Sequence, residues 1–139
     1  MRGIRGELAM DEQVTVRTVM RASPVAVSWL ESAEAALGRM RELGWDRLPV
    51  VDAYGVIGLC ERRMLQASER RGNWMGGVSV GDLMRRGPFW CRQSEPGEQA
   101  LRRMERLNTD VLAVIDHRGR VVGTVHRDHF AASAAPALC

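Results

Sequence analysis

The sequence contains no lysine. All twenty of its basic residues are arginine, and seventeen acidic residues bring the formal net charge to +3 at pH 7. A lysine-to-arginine bias over the whole chain is typical of genomic base composition, and a charge this small does not require a nucleic-acid partner. Binding of nucleic acid through surface arginines is therefore the least favoured function.

Long apolar runs are also lacking, and cysteines are few. No stretch is long enough to span a bilayer, and the charged amino end has no signal-peptide pattern. Cys60, Cys91 and Cys139 are odd in number and lack metal-ligand spacing, so we expect free thiols, the first two buried, and not disulfides or ligands. These absences predict a cytoplasmic protein without a membrane partner.

The chain does contain an internal repeat with an offset of 64 residues, which relates position 20 to 84 and position 52 to 116. The recurring positions of the first copy are Val19, Met20, Pro24, Glu31, Glu34, Ala36, Leu37, Met40, Leu43, Asp46, Leu48, Val50 and Asp52. Two copies are too few for a solenoid, so we expect two like units packed about a pseudo-twofold axis.

Each copy predicts the order helix, strand, helix, strand, strand, helix, which is an α/β (α+β) fold. A short helix ends before Pro24 or Pro88, and an apolar stretch that follows is strand-like. The predicted bounds are 14–68 for the first unit, 69–77 for a linker, 78–132 for the second unit, and 1–13 and 133–139 for tails.

The middle helix of each copy has the clearest pattern. In the first copy Ala36, Leu37, Met40 and Leu43 share one apolar face, while arginines and glutamates lie on the other. The first helix is followed by Gly44 and the second by Asn108, so both helices are predicted to end in a left-handed residue. Pro96 suits the first helical position of the second copy.

The strand pair of each copy is predicted to be a hairpin. Asp52 with Gly55, and Asp116 with Gly119, have the spacing of a type I turn.

These residues resemble the cystathionine-beta-synthase (CBS) domain, and the tandem arrangement resembles a Bateman module. The matching segments are Val19-Met20 with Pro24, Leu48-Pro49-Val50-Val51-Asp52, and Gly123-Thr124-Val125-His126-Arg127-Asp128. The resemblance implies two units packed sheet to sheet, with two clefts that bind adenosine-containing ligands in many relatives. It also implies a dimer that regulates a partner and does not catalyse.

In nucleotide-binding relatives a hydroxyl residue and, two residues later, an Asp mark the step from the last strand to the last helix. In the second unit Asp128 takes the Asp position and His126 replaces the hydroxyl. We expect Asp128 to accept hydrogen bonds from ribose and His126 and Arg127 to contact phosphate. The alternative for Asp128 is a favourable charge in the first helical turn without a ligand.

The resemblance places the adenine base against Phe89, Trp90, Val111, Leu112 and Ala113. Trp90 either stacks on the base or fills the core, and the core is favoured.

The first unit departs further, since Glu61 would repel phosphate and Arg63 lacks an acceptor for ribose. We therefore expect one nucleotide site. Arg63 is a candidate for a phosphate contact across the cleft.

Other chemistry is not expected. His126 and His129 are spaced i, i+3, but no third metal ligand accompanies them, so structural roles are favoured and no metal is predicted. No catalytic triad, Gly-rich phosphate loop or metal-plus-Glu motif is present in the sequence, so an enzyme is not expected. Trp74 either covers the cleft or a dimer surface, or pins the linker to the core.

The sequence thus predicts a stand-alone regulatory or sensor protein. Its ligand would be AMP, ADP, ATP or S-adenosylmethionine, with no cofactor required, and it would act as a homodimer on an unidentified regulated protein. The alternative is a protein-interaction module whose clefts are degenerate and bind no ligand.

Overall fold

The structure is a computed structural model, and it describes residues 14–22, 25–72, 74 and 77–130. The predicted tails lie outside the described residues, as does the end of the last predicted helix.

Helices and strands follow the predicted mixed α/β order in both repeats. In chain order they are α1 Val16–Val19, β1 Val27–Ser28, α2 Ala33–Leu43, β2 Arg47–Asp52, β3 Gly55–Glu61, α3 Arg62–Arg70, α4 Val80–Leu83, β4 Arg85–Arg86, β5 Trp90–Arg92, α5 Gly97–Leu107, β6 Val111–Ile115 and β7 Val121–His126. Residues 127–130 begin a further helix, α6. The short strand β4 is the one element here that the sequence pattern did not predict.

The strands form two sheets of the same design. The first has the order β1-β2-β3-β4, and the second has the order β5-β6-β7. In each sheet the short first strand is parallel to its neighbour, and the hairpin that follows is antiparallel.

The compact units of the structure exchange their opening helices relative to the sequence repeats. Among the described residues, one unit lies within 25–89, and the other joins 14–22 to 90–130. In the unit of residues 25–89 the backbone N–H of Val80 donates to the Glu31 carbonyl (2.8 Å). In the other unit the N–H of Val16 donates to the Glu95 carbonyl (2.9 Å). Each unit therefore combines the sheet of one repeat with the opening helix of the other.

Glycine in the second hairpin strand permits the residues after the opening helix to approach the sheet closely. A Cβ atom at Gly58 would lie 2.6 Å from the Arg85 carbonyl oxygen, and one at Gly123 would collide with the Arg21 carbonyl oxygen. Arg21 and Thr124 exchange two backbone hydrogen bonds, of 2.7 and 3.0 Å. The close approach leaves no room for a side chain at either glycine.

The middle helices end as predicted. Gly44 (φ 71°) and Asn108 (φ 54°) both adopt the left-handed conformation that terminates a helix. Two details differ from expectation: Leu43, the last residue of α2, is exposed, and Pro96 is the N-cap of α5 and not its first helical residue.

The aspartates of the two hairpins hold the turns. Oδ1 of Asp52 accepts the N–H groups of Tyr54 (2.8 Å) and Gly55 (3.1 Å). Asp116 is buried, and the N–H of Arg120 is the main cause that lowers the pKa of its carboxyl group. The sequence pattern therefore identified both turns from their local hydrogen-bonding residues.

Two further expectations concern buried side chains. Cys60 and Cys91 are free and buried, and burial raises the pKa of each thiol to about 12. Trp74 packs against the core of residues 25–89, and its Nε1 donates to the buried Ser68 hydroxyl at 3.0 Å. Of the roles considered for Trp74, this contact favours the one that pins the linker to the core.

Candidate functional site

The step from β7 into α6 brings several predicted site residues together in one unit. His126 lies opposite Val111 in the β6–β7 pair, and Trp90 lies beside Ala113 in the β5–β6 pair. The N–H of Arg127 donates to the Asp110 carbonyl at 2.7 Å, which fixes the start of α6 against the beginning of β6.

Two histidines cap the start of α6 reciprocally. The N–H of His126 donates to Nδ1 of His129 (3.1 Å), and the N–H of Asp128 donates to Nδ1 of His126 (3.1 Å). This resembles a capping box, with imidazoles in place of the usual hydroxyl and carboxylate, but the His126 side chain accepts the N–H of the second helical residue and not of the third. The i, i+3 spacing thus has a structural use that the sequence pattern left unspecified.

Both ring nitrogens of His126 have neighbours. Nε2 lies 3.4 Å from Oδ2 of Asp110, and Nδ1 lies 3.6 Å from Oδ2 of Asp128. Because Nδ1 accepts the Asp128 N–H, the proton of the neutral ring belongs on Nε2, facing Asp110. A contact between His126 and phosphate, which stays a prediction, would require this imidazole to leave its present partners.

His129 is partly buried beside these groups. Burial is the main cause that lowers the pKa of its imidazole; the charges of His126 and Arg21 lower it further, and Asp128 opposes them. The cap that His129 provides needs an unprotonated Nδ1, so the lowered pKa helps to preserve the hydrogen bond.

Asp128 directs its carboxylate to solvent. Its side chain is 86% exposed, although its backbone N–H is held by His126. An exposed carboxylate on a fixed backbone has acceptor oxygens available for hydroxyl groups. The ribose contact remains a prediction, and the position of the carboxylate is compatible with it.

Arg21 is a basic residue near this step that the sequence pattern missed as a candidate. It pairs with Thr124 of β7, and its charge contributes to the lowered pKa of His129. The repeat contained a signal for it, since the 64-residue offset relates Arg21 to Arg85. An arginine at the same place in both copies indicates that it has the same structural position, beside the sheet, in each unit.

The residues expected to contact the base are largely core residues. Leu112 and Ala113 are fully buried in β6, and Val111 is nearly so. The guanidinium carbons of Arg92 and Arg103 lie 5.4 and 5.5 Å from the centroid of the Trp90 ring. Two guanidinium groups therefore contact the Trp90 ring, and the sequence pattern did not predict these charged neighbours.

A partly buried arginine–glutamate pair lies beside the first strand of each sheet. Arg103 donates to the Trp90 carbonyl (2.7 Å) and lies 3.2 Å from Glu95. In the other unit Arg39 makes the same contacts, with the Ala26 carbonyl (2.8 Å) and Glu31 (3.1 Å). Helical periodicity placed both arginines on a solvent-facing side, whereas the structure uses them to join helix to strand.

The corresponding step in the unit of residues 25–89 is built differently. Glu61 is buried, and its Oε2 lies 3.0 Å from Nε of Arg47 and 3.4 Å from Nη1 of Arg85. Arg63 is exposed in the first turn of α3. Phe89 is buried, and the guanidinium carbon of Arg85 lies 5.0 Å from the centroid of its ring. Arg63 and Phe89 thus belong to this unit, whereas the other predicted site residues belong to its counterpart.

Neither a metal centre nor a membrane span is found in the described ranges. Residues 14–22, 25–72, 74 and 77–130 contain no group of three His, Cys, Asp or Glu side chains arranged to hold a metal ion. In the same part of the chain no helix has the length and hydropathy needed to cross a bilayer.

Comparison with known families agrees with these two similar mixed α/β units. The CBS domain family model matches residues 16–66 and 80–135, which together are most of the chain. The chain therefore belongs to the CBS domain family, as a tandem pair.

One curated relative is an inosine-5'-monophosphate dehydrogenase from Korarchaeum cryptofilum. It is 28% identical over 114 residues, which are 82% of this chain and 22% of the relative. The chain thus spans about a fifth of that enzyme's length.

Solved structures of CBS pairs are similar over nearly their whole length. CBSX2 from Arabidopsis thaliana is 26% identical with a TM-score of 0.75, covering 89% of this chain and 96% of that one. A structure of CBSX2 in complex with AMP is 25% identical, with a TM-score of 0.73 and coverage of 90% and 98%.

The CBS domain of a bacterial CNNM/CorC family Mg²⁺ transporter, in complex with ATP, has a TM-score of 0.78 and covers 94% of this chain and 92% of that one. At 19% identity this likeness supports the fold alone.

Proposed function

We propose that this chain is a regulatory module that binds an adenosine-containing ligand through the unit that carries Asp128. The ligand class comprises AMP, ADP, ATP and S-adenosylmethionine. Asp128 accepts hydrogen bonds from the ribose hydroxyls, while Arg127 and Arg21 provide positive charge for phosphate. The ligand acts by stabilising one arrangement of the protein over others, and not by undergoing a reaction.

The observation that carries the proposal is the difference between the two strand-to-helix steps. Asp128 presents an 86% exposed carboxylate at one step, whereas the other step has the cation Arg63 in the first helical turn. A carboxylate accepts hydrogen bonds from both hydroxyls of a ribose, and a guanidinium accepts none. This favours a single ligand site, in the unit of Asp128.

The relatives support the ligand class. CBSX2, at 25% identity and with almost complete coverage, has been solved in complex with AMP. AMP is therefore the first ligand to test.

The test is a calorimetric titration of AMP, ADP, ATP and S-adenosylmethionine into the wild type and Asp128→Ala. A hydrogen bond to a charged group contributes about 1.5–3 kcal/mol, so the variant should bind roughly ten- to a hundredfold more weakly. Asp46→Ala is the matched control, because Asp46 is also exposed (75%) but belongs to the other unit. This control should bind like the wild type.

Two results would contradict the proposal in different ways. Equal affinity of Asp128→Ala and the wild type would remove Asp128 from the ribose contact. Failure of all four ligands to bind the wild type would reject the ligand-binding function itself.

The wider setting of the proposal is a cytoplasmic homodimer that regulates another protein and has no catalytic activity of its own. Light scattering of the purified chain tests the dimer, and a monomeric mass at micromolar concentration would contradict it.

A second candidate function is a protein-interaction module that binds no ligand. It is favoured by the engagement of His126, whose ring nitrogens lie near Asp110 and Asp128 while the N–H of Asp128 already has an acceptor. Without these partners, the His126 imidazole and the Asp128 N–H would be available to bind a phosphate. The module predicts a dimer with no thermal response to any of the four ligands, together with a specific protein recovered in a pull-down.

A further inference from the structure

Three large apolar side chains are exposed at one end of the sheet of residues 25–89. They are Trp29 (41% exposed), Leu30 (69%) and Tyr54 (96%). β1 runs parallel to β2, and the N–H of Trp29 donates to the Val51 carbonyl at 3.0 Å. The turns that follow these two strands therefore leave the sheet at the same end. We call Trp29, Leu30 and Tyr54 the apolar end of this unit.

The charged residues of these turns are acidic. Segments 28–35 and 52–56 contain no basic residue, and their acidic residues are Glu31, Glu34 and Asp52. Glu34 is exposed, whereas Glu31 is paired with Arg39 at 3.1 Å. The apolar end therefore combines aromatic surface with negative charge.

The matching end of the other unit differs by the addition of arginine. The offset of 64 residues relates the apolar end to Gln93, Ser94 and Arg118. Arginine is also present at positions 92 and 120, where the first copy has uncharged residues, while the three acidic positions stay acidic. Arg92 and Arg118 are exposed, and the Arg120 side chain is 67% exposed. We call Arg92, Arg118 and Arg120 the arginine end.

The contrast between the two ends indicates a role outside the unit. Single exposed apolar side chains are ordinary in soluble proteins. Here two aromatic rings and a leucine share one end of a sheet, and the other repeat builds the same fold with polar residues at all three positions. The fold of a unit therefore does not require them. Tyr, Trp and Arg are enriched at protein–protein interfaces.

We propose that the apolar end of one copy binds the arginine end of a second copy. A guanidinium stacks on aromatic rings and donates to carboxylates, so Arg118 complements the rings of Trp29 and Tyr54 and the carboxylates that flank them. The contact joins two different surfaces, and two copies that make it reciprocally form a closed dimer. The inference rests on the homodimer of the proposed function and assigns the surfaces that form it.

The test changes one residue at each end. Tyr54→Arg gives the apolar end the residue of its counterpart, and Arg118→Glu reverses the charge at the arginine end. Both side chains are exposed turn residues, so the fold should be retained, which circular dichroism checks. In sedimentation equilibrium at roughly 0.01–0.5 mM protein, each variant should have a dissociation constant at least about tenfold higher than the wild type. Leu30→Ser is a second variant of the apolar end and should weaken association in the same direction.

An equimolar mixture of the two variants tests the pairing itself. In a mixed pair the intact apolar end of Arg118→Glu meets the intact arginine end of Tyr54→Arg, and the two altered residues face each other with opposite charges. The mixture should therefore associate about as tightly as the wild type, although neither variant does so alone. An interface that uses neither end would show no such recovery.

Leu43→Arg is the matched control. Leu43 is another exposed apolar side chain (40%) of the same unit, and it lies at the end of α2, outside both ends. Introducing arginine there should leave association unchanged.

The outcomes decide the proposal. Loss of association in each variant with recovery in the mixture supports it. It is overturned if the wild type is monomeric throughout this concentration range, if Tyr54→Arg or Arg118→Glu associates like the wild type, if the mixture does not recover, or if Leu43→Arg dissociates as much as Tyr54→Arg. A dimer that persists in both variants would reject these surfaces and leave the homodimer and the ligand site at Asp128 standing.

Discussion

Gly123→Ala should destabilise the protein strongly, although it adds a single methyl group. The added Cβ atom would collide with the carbonyl oxygen of Arg21 and lie 3.3 Å from Sδ of Met20. The carbonyl belongs to the backbone and cannot rotate away, because Arg21 and Thr124 exchange two hydrogen bonds with each other. The methyl group must therefore push the segment away from β7.

The cost has two parts. Overpacking of a close contact costs about 1–3 kcal/mol, and weakening two backbone hydrogen bonds costs up to about 1 kcal/mol each. Because the segment relieves the clash partly by moving, we expect a loss of roughly 2–4 kcal/mol in the free energy of unfolding. That is a large share of the roughly 5–15 kcal/mol that stabilises a typical domain.

Gly38→Ala is the matched control. Gly38 lies inside α2, and a Cβ atom there meets nothing within 4 Å. Replacing a helical glycine by alanine stabilises by about 0.5–1 kcal/mol, so the same chemical change should have the opposite sign. Urea denaturation followed by tryptophan fluorescence measures both variants. A Gly123→Ala protein within about 0.5 kcal/mol of the wild type would refute the argument from close approach.

Three further predictions concern titrating groups. With Cys139 replaced by Ser, the native protein should react with a thiol reagent at neutral pH far more slowly than the unfolded protein, because burial raises the pKa of Cys60 and Cys91 to about 12; equal rates would contradict this. The lowered pKa of His129 contributes stability that is present above about pH 6.5 and is lost as the pH falls towards the folded value, so His129→Gln should flatten the acid limb of the stability curve. Asp116, whose pKa is lowered mainly by the Arg120 N–H, contributes stability that is present above its unfolded pKa of 3.8 and is lost as the pH falls through its lower folded pKa; Asp116→Asn should therefore be less stable than the wild type at neutral pH and approach it in strong acid.

Local features of the fold could be predicted from the sequence because they depend on neighbouring residues. Gly44 and Asn108 end their helices through their own backbone preference, and Asp52 and Asp116 hold their turns with hydrogen bonds that reach only a few residues. The repeat supported the other predicted helices and strands, since each had a counterpart 64 residues away in the sequence.

Features that depend on contacts distant in sequence could not be predicted in the same way. Periodicity placed Arg39 and Arg103 on the solvent side, because it carries no information on which carbonyl or carboxylate lies within reach of a long side chain. The exchange of opening helices between units was hidden for the same reason, since the pairing of Arg21 with Thr124 spans most of the chain.

The candidate site was predictable in position but not in detail. Asp128 and His126 were located by the resemblance, and the structure places them at the same strand-to-helix step. The reciprocal cap between His126 and His129 depends on ring orientation, and the pairing of Glu61 with two arginines depends on three neighbouring strands. Neither set of contacts can be predicted from the composition or the spacing of residues.

The most direct test of the central claim is an AMP titration followed by amide chemical shifts in two-dimensional NMR spectra of the ¹⁵N-labelled protein. If ligand binds only to the unit that carries Asp128, the saturating shift changes should concentrate at residues 126–130 and along β6, with residues 61–64 little affected. Equal changes at both strand-to-helix steps, or none at Asp128, would contradict the account.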